Sequence, residues 1–359
     1  MNITVIGGGN IGTLMAAEMA HKGHDITIYS SRPIEWRKEI EVWDPQDNFI
    51  MKGTVKNITN QLEKAVKEAE IIWITVPAQM FTQLAQELLP YVKKGQYLGV
   101  VPGSGGAEFA FKELIEKGCV LFGLQRVHSI ARLKEYGKSV YMLGRKSRLE
   151  LGTIPADKSK EIAKLVETLF DMSCIALPNY LSVTLTPSNP ILHTTRLYTM
   201  FKDYVEGKTY PHNILFYEEW DDESSEMLIA CDRELQSLCK KIPLELDAVM
   251  SLCDYYESQT PNAMTMKIKG IPAFKGLYSP MKCINGSWIP DLESRYFTAD
   301  FSYGLKIIKD MCELFSVKHE NIKKVWEWYE KINSRDAQKA FQLKQSEEEF
   351  ICLYNKEKM

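Results

Sequence analysis

The chain of 359 residues lacks most of the features that would tie it to a membrane, a nucleic acid or a metal. No window approaches the roughly 18 uninterrupted apolar residues of a membrane span. No basic residues precede the first apolar run in "MNITVIGGGNIG", so a secretory leader is not expected. Neither sign of charge dominates: 44 Lys and Arg stand against 47 Asp and Glu, a formal net charge of -3. That balance gives no electrostatic case for nucleic acid or an anionic membrane. The eight cysteines (119, 174, 231, 239, 253, 283, 312, 352) are scattered, and no two form a Cys-x-x-Cys pair. They read as reduced thiols used as small core residues, which excludes a disulfide framework and a zinc site, and no metal is expected. Histidine is scarce too, with six in the chain.

What is present is ordinary globular composition, 45% hydrophobic and 25% charged. A chain of this length is expected to form two domains, 1–180 and 181–359, of a cytoplasmic protein. The first begins with a β-rich run, "NITVI", that ends abruptly in Gly7-Gly8-Gly9. Apolar residues at Ile11, Leu14, Met15 and Met19 then follow helical spacing, Lys22-Gly23-His24 ends the helix, and "DITIY" is a second strand. Gly7, Gly9 and Gly12 fall on G-x-G-x-x-G inside this βαβ unit. Gly7 makes the tight turn, Gly9 lets backbone approach a pyrophosphate, and Gly12 lets helix pack on strand. The helix N-terminus, with Asn10 and Ile11, offers free N–H groups to the phosphates. Where a carboxylate would bind the ribose hydroxyl of NAD, this chain has Ser30-Ser31-Arg32. Two hydroxyls and a guanidinium suit a 2′-phosphate, so NADP is the expected cofactor and NAD the alternative. A buried strand in "AEIIWITVPAQM" leads into Val76-Pro77, a loop expected at the cofactor edge of the sheet. Further strands are read in 96–109, 119–124 and 139–145, with a helix over 155–172.

From Pro187 the pattern changes to a helical period, with candidates at 190–204, 222–241, 245–257, 303–315 and 319–332. The segments 270–276 and 285–290 read as loops. From about 334 the chain is charged and reads as a terminal helix or a disordered tail. The fold class is therefore α/β: an N-terminal Rossmann domain followed by an all-helical substrate domain.

A hydride transfer needs a partner group to manage a proton, and histidine is the commonest choice. His21, His24 and His319 read as surface residues and His212 as a loop residue, which leaves His128 and His193. His193 follows "SNP": Asn189 reads as an N-cap and Pro190 as the first helical residue, with the imidazole one turn in. Packing and chemistry both remain open for it on these grounds. Arg295 and Asp300, in "DLESRYFTADFSYGL", converge only if the chain bends between them, and an internal ion pair is the plainer reading.

"NPILH", followed about a hundred residues later by "RYFTADFSYGL", resembles the opine dehydrogenase family, the octopine/nopaline dehydrogenase group. "IGGGNIG" and "PGSGGAEF" resemble that family's cofactor loops, and "HSIARLKEYGKSVYMLGRK" the end of its first domain. The resemblance implies reductive condensation of an amino acid with a 2-oxo acid, pyruvate by family habit, using NADH or NADPH. It implies that His193 is the acid/base residue, Asp300 its carboxylate partner and Arg295 a ligand of a substrate carboxylate. Asn189 and Arg132 would also meet substrate. The partners implied are small molecules, with no nucleic acid and no membrane, and the enzyme would be a monomer or homodimer. The runner-up is a 2-oxo-acid or ketopantoate-type reductase, whose proton-donating lysine nothing here marks out. A third reading is a nucleotide-sensing regulator on the same fold.

Overall fold

The short β-rich runs of the first half assemble into two sheets in the computed structural model, which describes residues 1–355. In chain order they are β1 (Asn2–Ile6), β2 (Asp25–Tyr29), β3 (Glu39–Trp43), β4 (Phe49–Thr54), β5 (Asn57–Thr59) and β6 (Ile71–Ile74). β7 (Tyr97–Val100), β8 (Val120–Leu124), β9 (Ser129–Glu135), β10 (Ser139–Arg145), β11 (Leu149–Ile154) and β12 (Cys174–Ala176) follow. The larger sheet runs β12-β11-β8-β7-β6-β1-β2-β5. From β5 to β8 every pair is parallel, and β11 joins β8 antiparallel. The strand order reverses at β1, whose neighbours are β2 and β6, and in an open α/β sheet that switch point is where a crevice forms at the carboxyl ends. All four residues of β6 are buried, as expected of a strand covered on both faces.

The helix α1 (Asn10–His21) connects β1 to β2. Its apolar stripe predicts one buried face, yet Gly12 through Ala20 are all buried. The reason is a second sheet, β4-β3-β10-β9, which covers the side of α1 that faces away from the first. A Cβ on Gly53 of β4 would lie 2.2 Å from the carbonyl oxygen of Ala17, so β4 runs directly against the helix backbone. The small side chains of Ala16, Ala17 and Ala20 leave room for that approach. Of this second sheet only the 139–145 run is foreseen by sequence pattern.

The described residues form two compact units, Met1–Thr184 joined by the chain from Cys352, and Leu185–Ile351. The sequence boundary at 180 assigned the whole C-terminus to the second domain. The structure instead returns the chain to the first unit at Cys352. There Tyr354, near the end of the helix Glu347–Tyr354, donates its hydroxyl to the buried Glu108 at 2.9 Å.

The second unit is built on the helix Asp222–Lys241. Asp221 caps it by accepting from the Ser224 amide, acidic residues lead its first turn and Lys240 and Lys241 close it, in accord with the helix dipole. Thr194–Phe201, Pro261–Gly270, Lys306–Leu314 and Glu320–Ile332 pack around it. The expected helix over 245–257 is reduced to Leu252–Tyr255, which starts where the Ser251 hydroxyl caps it by accepting from the Asp254 amide and the Asp232 carboxylate takes the Leu252 amide. The segment read as a loop around 285–290 is a hairpin of β13 (Met281–Ile284) and β14 (Ser287–Pro290), turning at Asn285 and Gly286 with positive φ. Among the described residues no helix is long and apolar enough to cross a membrane, and no cluster of three or more His, Cys, Asp or Glu could hold a metal.

Candidate active site

Two π-helical turns position the chemistry of the second unit. The first, Ser188–His193, runs into the helix Thr194–Phe201, and the second, Phe301–Leu305, runs into Lys306–Leu314. Such wide turns displace one residue from the regular ladder and often occur at functional sites. They pack on each other where Gly304 meets Pro190, a contact in which an added Cβ would lie 3.2 Å from the proline ring. His193 ends the first turn and Asp300 immediately precedes the second. The result is a hydrogen bond of 2.8 Å between His193 Nδ1 and Asp300 Oδ2.

The bend between Arg295 and Asp300 that the sequence required is present. A short helix, Arg295–Thr298, gives way to the π turn, and the Ala299 and Asp300 amides both donate to the Arg295 carbonyl. Arg295 itself is exposed, its guanidinium 5.8 Å from the centre of the Tyr296 ring. Tyr296 in turn lies 4.7 Å from the His193 ring, centre to centre.

His193 Nε2 meets the hydroxyl of Tyr217 at 3.1 Å, a partner that the sequence reading missed. Burial pushes the Tyr217 phenol well above its usual value, so it stays protonated. Nothing in "LFYEEW" distinguishes Tyr217 from a packed aromatic. A signal did exist three residues after His193: Arg196, the one charged residue in the helix Thr194–Phe201. Arg196 is fully buried and ties the segment carrying Tyr217 to the helix carrying His193, donating to the carbonyls of Phe216 and Glu219.

Asn189 requires correction. It lies inside the π turn, exposed, and makes no capping hydrogen bond; the turn is entered from Pro187, whose carbonyl accepts from the Ile191 and Leu192 amides. A π turn begins earlier than the regular helix that the Asn-Pro pair suggests. Arg132 belongs to the other unit, exposed on β9 opposite Tyr141, and donates to its neighbour's carbonyl at Ala131. The other candidate histidine, His128, is wholly buried in that unit and pairs Nε2 with Glu18 at 2.6 Å.

The first unit carries a cradle whose form fits a dinucleotide. Gly7 has φ of 116°, and a Cβ on Gly12 would stand 2.0 Å from the Gly7 carbonyl oxygen, so neither position accepts a side chain. A Cβ on Gly9 would meet nothing within 4 Å, which leaves open space at the start of α1. That N-terminus has no side-chain cap and no acidic residue in its first turn, so its amides and positive dipole end remain available to a phosphate. Asn10 spends its side chain on the Leu133 amide at 2.9 Å, which leaves its backbone for any ligand. Ile11 is half-buried beside it. Val76 packs close to Gly7 from the neighbouring loop, and Pro77 next to it is exposed.

At the end of β2 the three predicted residues divide. The Ser30 hydroxyl is buried and engaged by Trp36 Nε1 (3.1 Å), the Tyr136 hydroxyl (3.1 Å) and the Arg32 amide (3.2 Å). It shapes the turn and has no free hydroxyl to offer. Ser31 and Arg32 are exposed, and the Arg32 guanidinium lies 4.0 Å over the Tyr136 ring while pairing with Glu35 at 3.2 Å.

Comparison with known proteins agrees with these two halves. Residues 176–333 match the family model for the α-helical domain of NAD/NADP octopine/nopaline dehydrogenase, and residues 2–108 match the N-terminus of NAD-dependent glycerol-3-phosphate dehydrogenase. A tauropine dehydrogenase from Arabella iricolor is 26% identical over 93% of this chain and 92% of its own. An octopine dehydrogenase structure with NADH and L-arginine superposes with a TM-score of 0.81 at 23% identity, covering 93% of this chain and 90% of that one. The same enzyme with NADH and pyruvate gives 0.80 at 23% identity, with 92% and 88% covered. Those two likenesses establish the fold. Residues 176–333 thus resemble the helical domain of the octopine/nopaline dehydrogenase family beside an NAD-binding N-terminal segment, and the chain is an NAD(P)-dependent oxidoreductase.

Proposed function

We propose that the chain condenses an amino acid with a 2-oxo acid, pyruvate being the oxo acid, and reduces the product to an N-(carboxyalkyl) amino acid, with the reverse oxidation also open. The observation that carries this reading is the 2.8 Å contact between His193 and Asp300, inside the segment that matches the family's helical domain. By accepting from Nδ1–H, Asp300 fixes the tautomer and leaves the working lone pair on Nε2. Attack of an amine on a keto group gives a carbinolamine, which loses water only when its hydroxyl is protonated. A histidine turned toward the substrate by Nε2 supplies that proton, and Asp300 stabilises the imidazolium on either side of the step.

Both substrates carry carboxylates, and the exposed Arg295 presents a planar fork suited to one of them. Asn189 and Arg132, exposed as well, are proposed to contact the remaining polar groups of the substrates. Gly7, Gly9, Asn10, Ile11, Gly12, Val76 and Pro77 would hold the cofactor's pyrophosphate side, mostly through backbone. Ser31 and Arg32 would take a 2′-phosphate, which makes NADP the preferred form, with Ser30 holding the turn that presents them. When bound, the reduced nicotinamide supplies the hydride that saturates the C=N carbon.

A matrix of amino acids against 2-oxo acids, followed by absorbance of the reduced cofactor, tests the reading. Cofactor consumption is expected only in wells that hold both an amine and an oxo acid. Consumption by a 2-oxo acid alone, at the same rate with or without amine, would identify a keto-acid reductase instead.

A further inference from the structure

Both ring nitrogens of His193 are engaged before any substrate is present, one by Asp300 and the other by Tyr217. A histidine that is to exchange a proton with substrate through Nε2 must therefore either lose the phenol or work through it. The surroundings decide between the two. Tyr217 is buried, stacks on Phe274 with ring centres 4.0 Å apart, and lies parallel to Trp220. Its chain segment is fastened on both sides by one side chain. Arg196 Nε donates to the Phe216 carbonyl, Nη2 to the Glu219 carbonyl, and Nη1 to Asp221 and Ser224. Swinging the phenol away would break a stacked pair and strain a buried guanidinium network, so the hydroxyl is held where it is.

We propose that Tyr217 is a proton relay, standing between His193 Nε2 and the substrate hydroxyl that leaves as water. This rests on the reductive-condensation reading and adds a second proton-transfer group to it. In the dehydration step the Nε2–H bond of the imidazolium breaks as its proton passes to the Tyr217 oxygen. The phenol's own O–H bond breaks as that proton passes to the carbinolamine hydroxyl. The C–O bond then breaks, water departs, and the amine nitrogen lone pair closes the C=N bond. The phenol ends the step with one proton, as it began, and the imidazole ends neutral with its lone pair again on Nε2. The buried environment that holds the phenol protonated keeps it out of the phenolate form, so it passes protons without trapping charge. Asp300 accepts from Nδ1–H on the far side of the ring and holds the chain of donors in one direction.

The test is Tyr217→Phe in the full-length enzyme with saturating cofactor. Phenylalanine keeps the stack on Phe274 and removes only the hydroxyl, so folding is checked by an unchanged Tm. The expected result is a loss of kcat of about 10²-fold, within the range of general acid–base catalysis. KM values should change little. The proton inventory of kcat in mixed light and heavy water should turn from curved, with two protons in flight, to linear. A kcat within threefold of wild type, or a change confined to KM, would overturn the relay and leave the phenol as a plug that substrate displaces. A second measurement does not depend on turnover: the ¹⁵N shift of His193 Nε2 in the substrate-free protein. It should move in Tyr217→Phe, and no movement would contradict the hydrogen bond on which the relay depends. Wild-type enzyme with no amine-dependent turnover would instead overturn the condensation reading, and with it the substrate half of the relay, whatever the ¹⁵N shift shows.

Discussion

Two histidines of this chain, His128 buried and His193 half-buried, each face a carboxylate, and they differ in what holds the other nitrogen. His128 is wholly buried, donates through Nε2 toward Glu18, and lies against the Phe170 ring. Its Nδ1 is also buried and has no hydrogen-bond partner. Glu18 is shared with Arg145. Burial alone would raise this carboxyl, but the hydrogen bond and charge of His128, then Arg145, hold it below the usual range. His193 has the same kind of carboxylate at 2.8 Å, yet its side chain is 12% exposed and its second nitrogen meets a hydroxyl. A carboxylate partner therefore does not mark a proton-transfer histidine by itself. A second nitrogen with somewhere to send a proton does. His128 ties α1 to the second sheet, whereas the proposed proton-transfer role of His193 rests on its second contact, to the Tyr217 hydroxyl.

That contrast breaks most visibly under substitution. His193→Ala should lower kcat by about 10²–10⁴-fold, with Tm unmoved, as read by steady-state kinetics beside thermal melting. Glu108 extends the contrast to a buried carboxyl with no cation. It accepts from the Thr184 and Tyr354 hydroxyls, and burial raises it from 4.5 to about 7. Because the folded state holds this proton more tightly, its favourable contribution is complete below pH 4.5 and is lost as pH rises through 7. The change is on the order of 3 kcal/mol. Glu108→Gln should flatten the fall in Tm between those pH values, measured by melting across the range.

His128→Ala should behave oppositely to His193→Ala. It leaves Arg145 to hold Glu18, costs about 1–3 kcal/mol, and lowers Tm by about 5 °C with kcat retained. The smallest effect is expected at the rim of the first unit. Arg32→Ala should reduce the ratio of NADP to NAD efficiency by about tenfold, the size of one charge-assisted contact. An unchanged ratio would remove Arg32 from the 2′-phosphate site.

The parts of this molecule that sequence made legible are those where local geometry demands a residue type. Gly12 against the Gly7 carbonyl is such a case, and so are the parallel apolar strands around β1. The second sheet was mostly hidden. β3, β4 and β9 pair with distant partners across α1, and no local period announces that a helix will be covered on both sides. His193, Asp300 and Arg295 were reached through family resemblance, because a 107-residue separation leaves no spacing signal. The Asn189 cap failed for a physical reason: a π turn keeps helical hydrogen bonding before the Asn-Pro pair, so no N-terminus exists there to cap. Tyr217 was invisible, since its contact with His193 comes from a position that Arg196 enforces.

The most direct test of the His193–Asp300 pair is a double-mutant comparison of kcat in Asp300→Asn, His193→Ala and the combined variant. If Asp300 acts only through the imidazole, Asp300→Asn lowers kcat in the wild-type background and costs nothing further once His193 is alanine. Losses that multiply, with Asp300→Asn as harmful without the histidine as with it, would contradict the dyad.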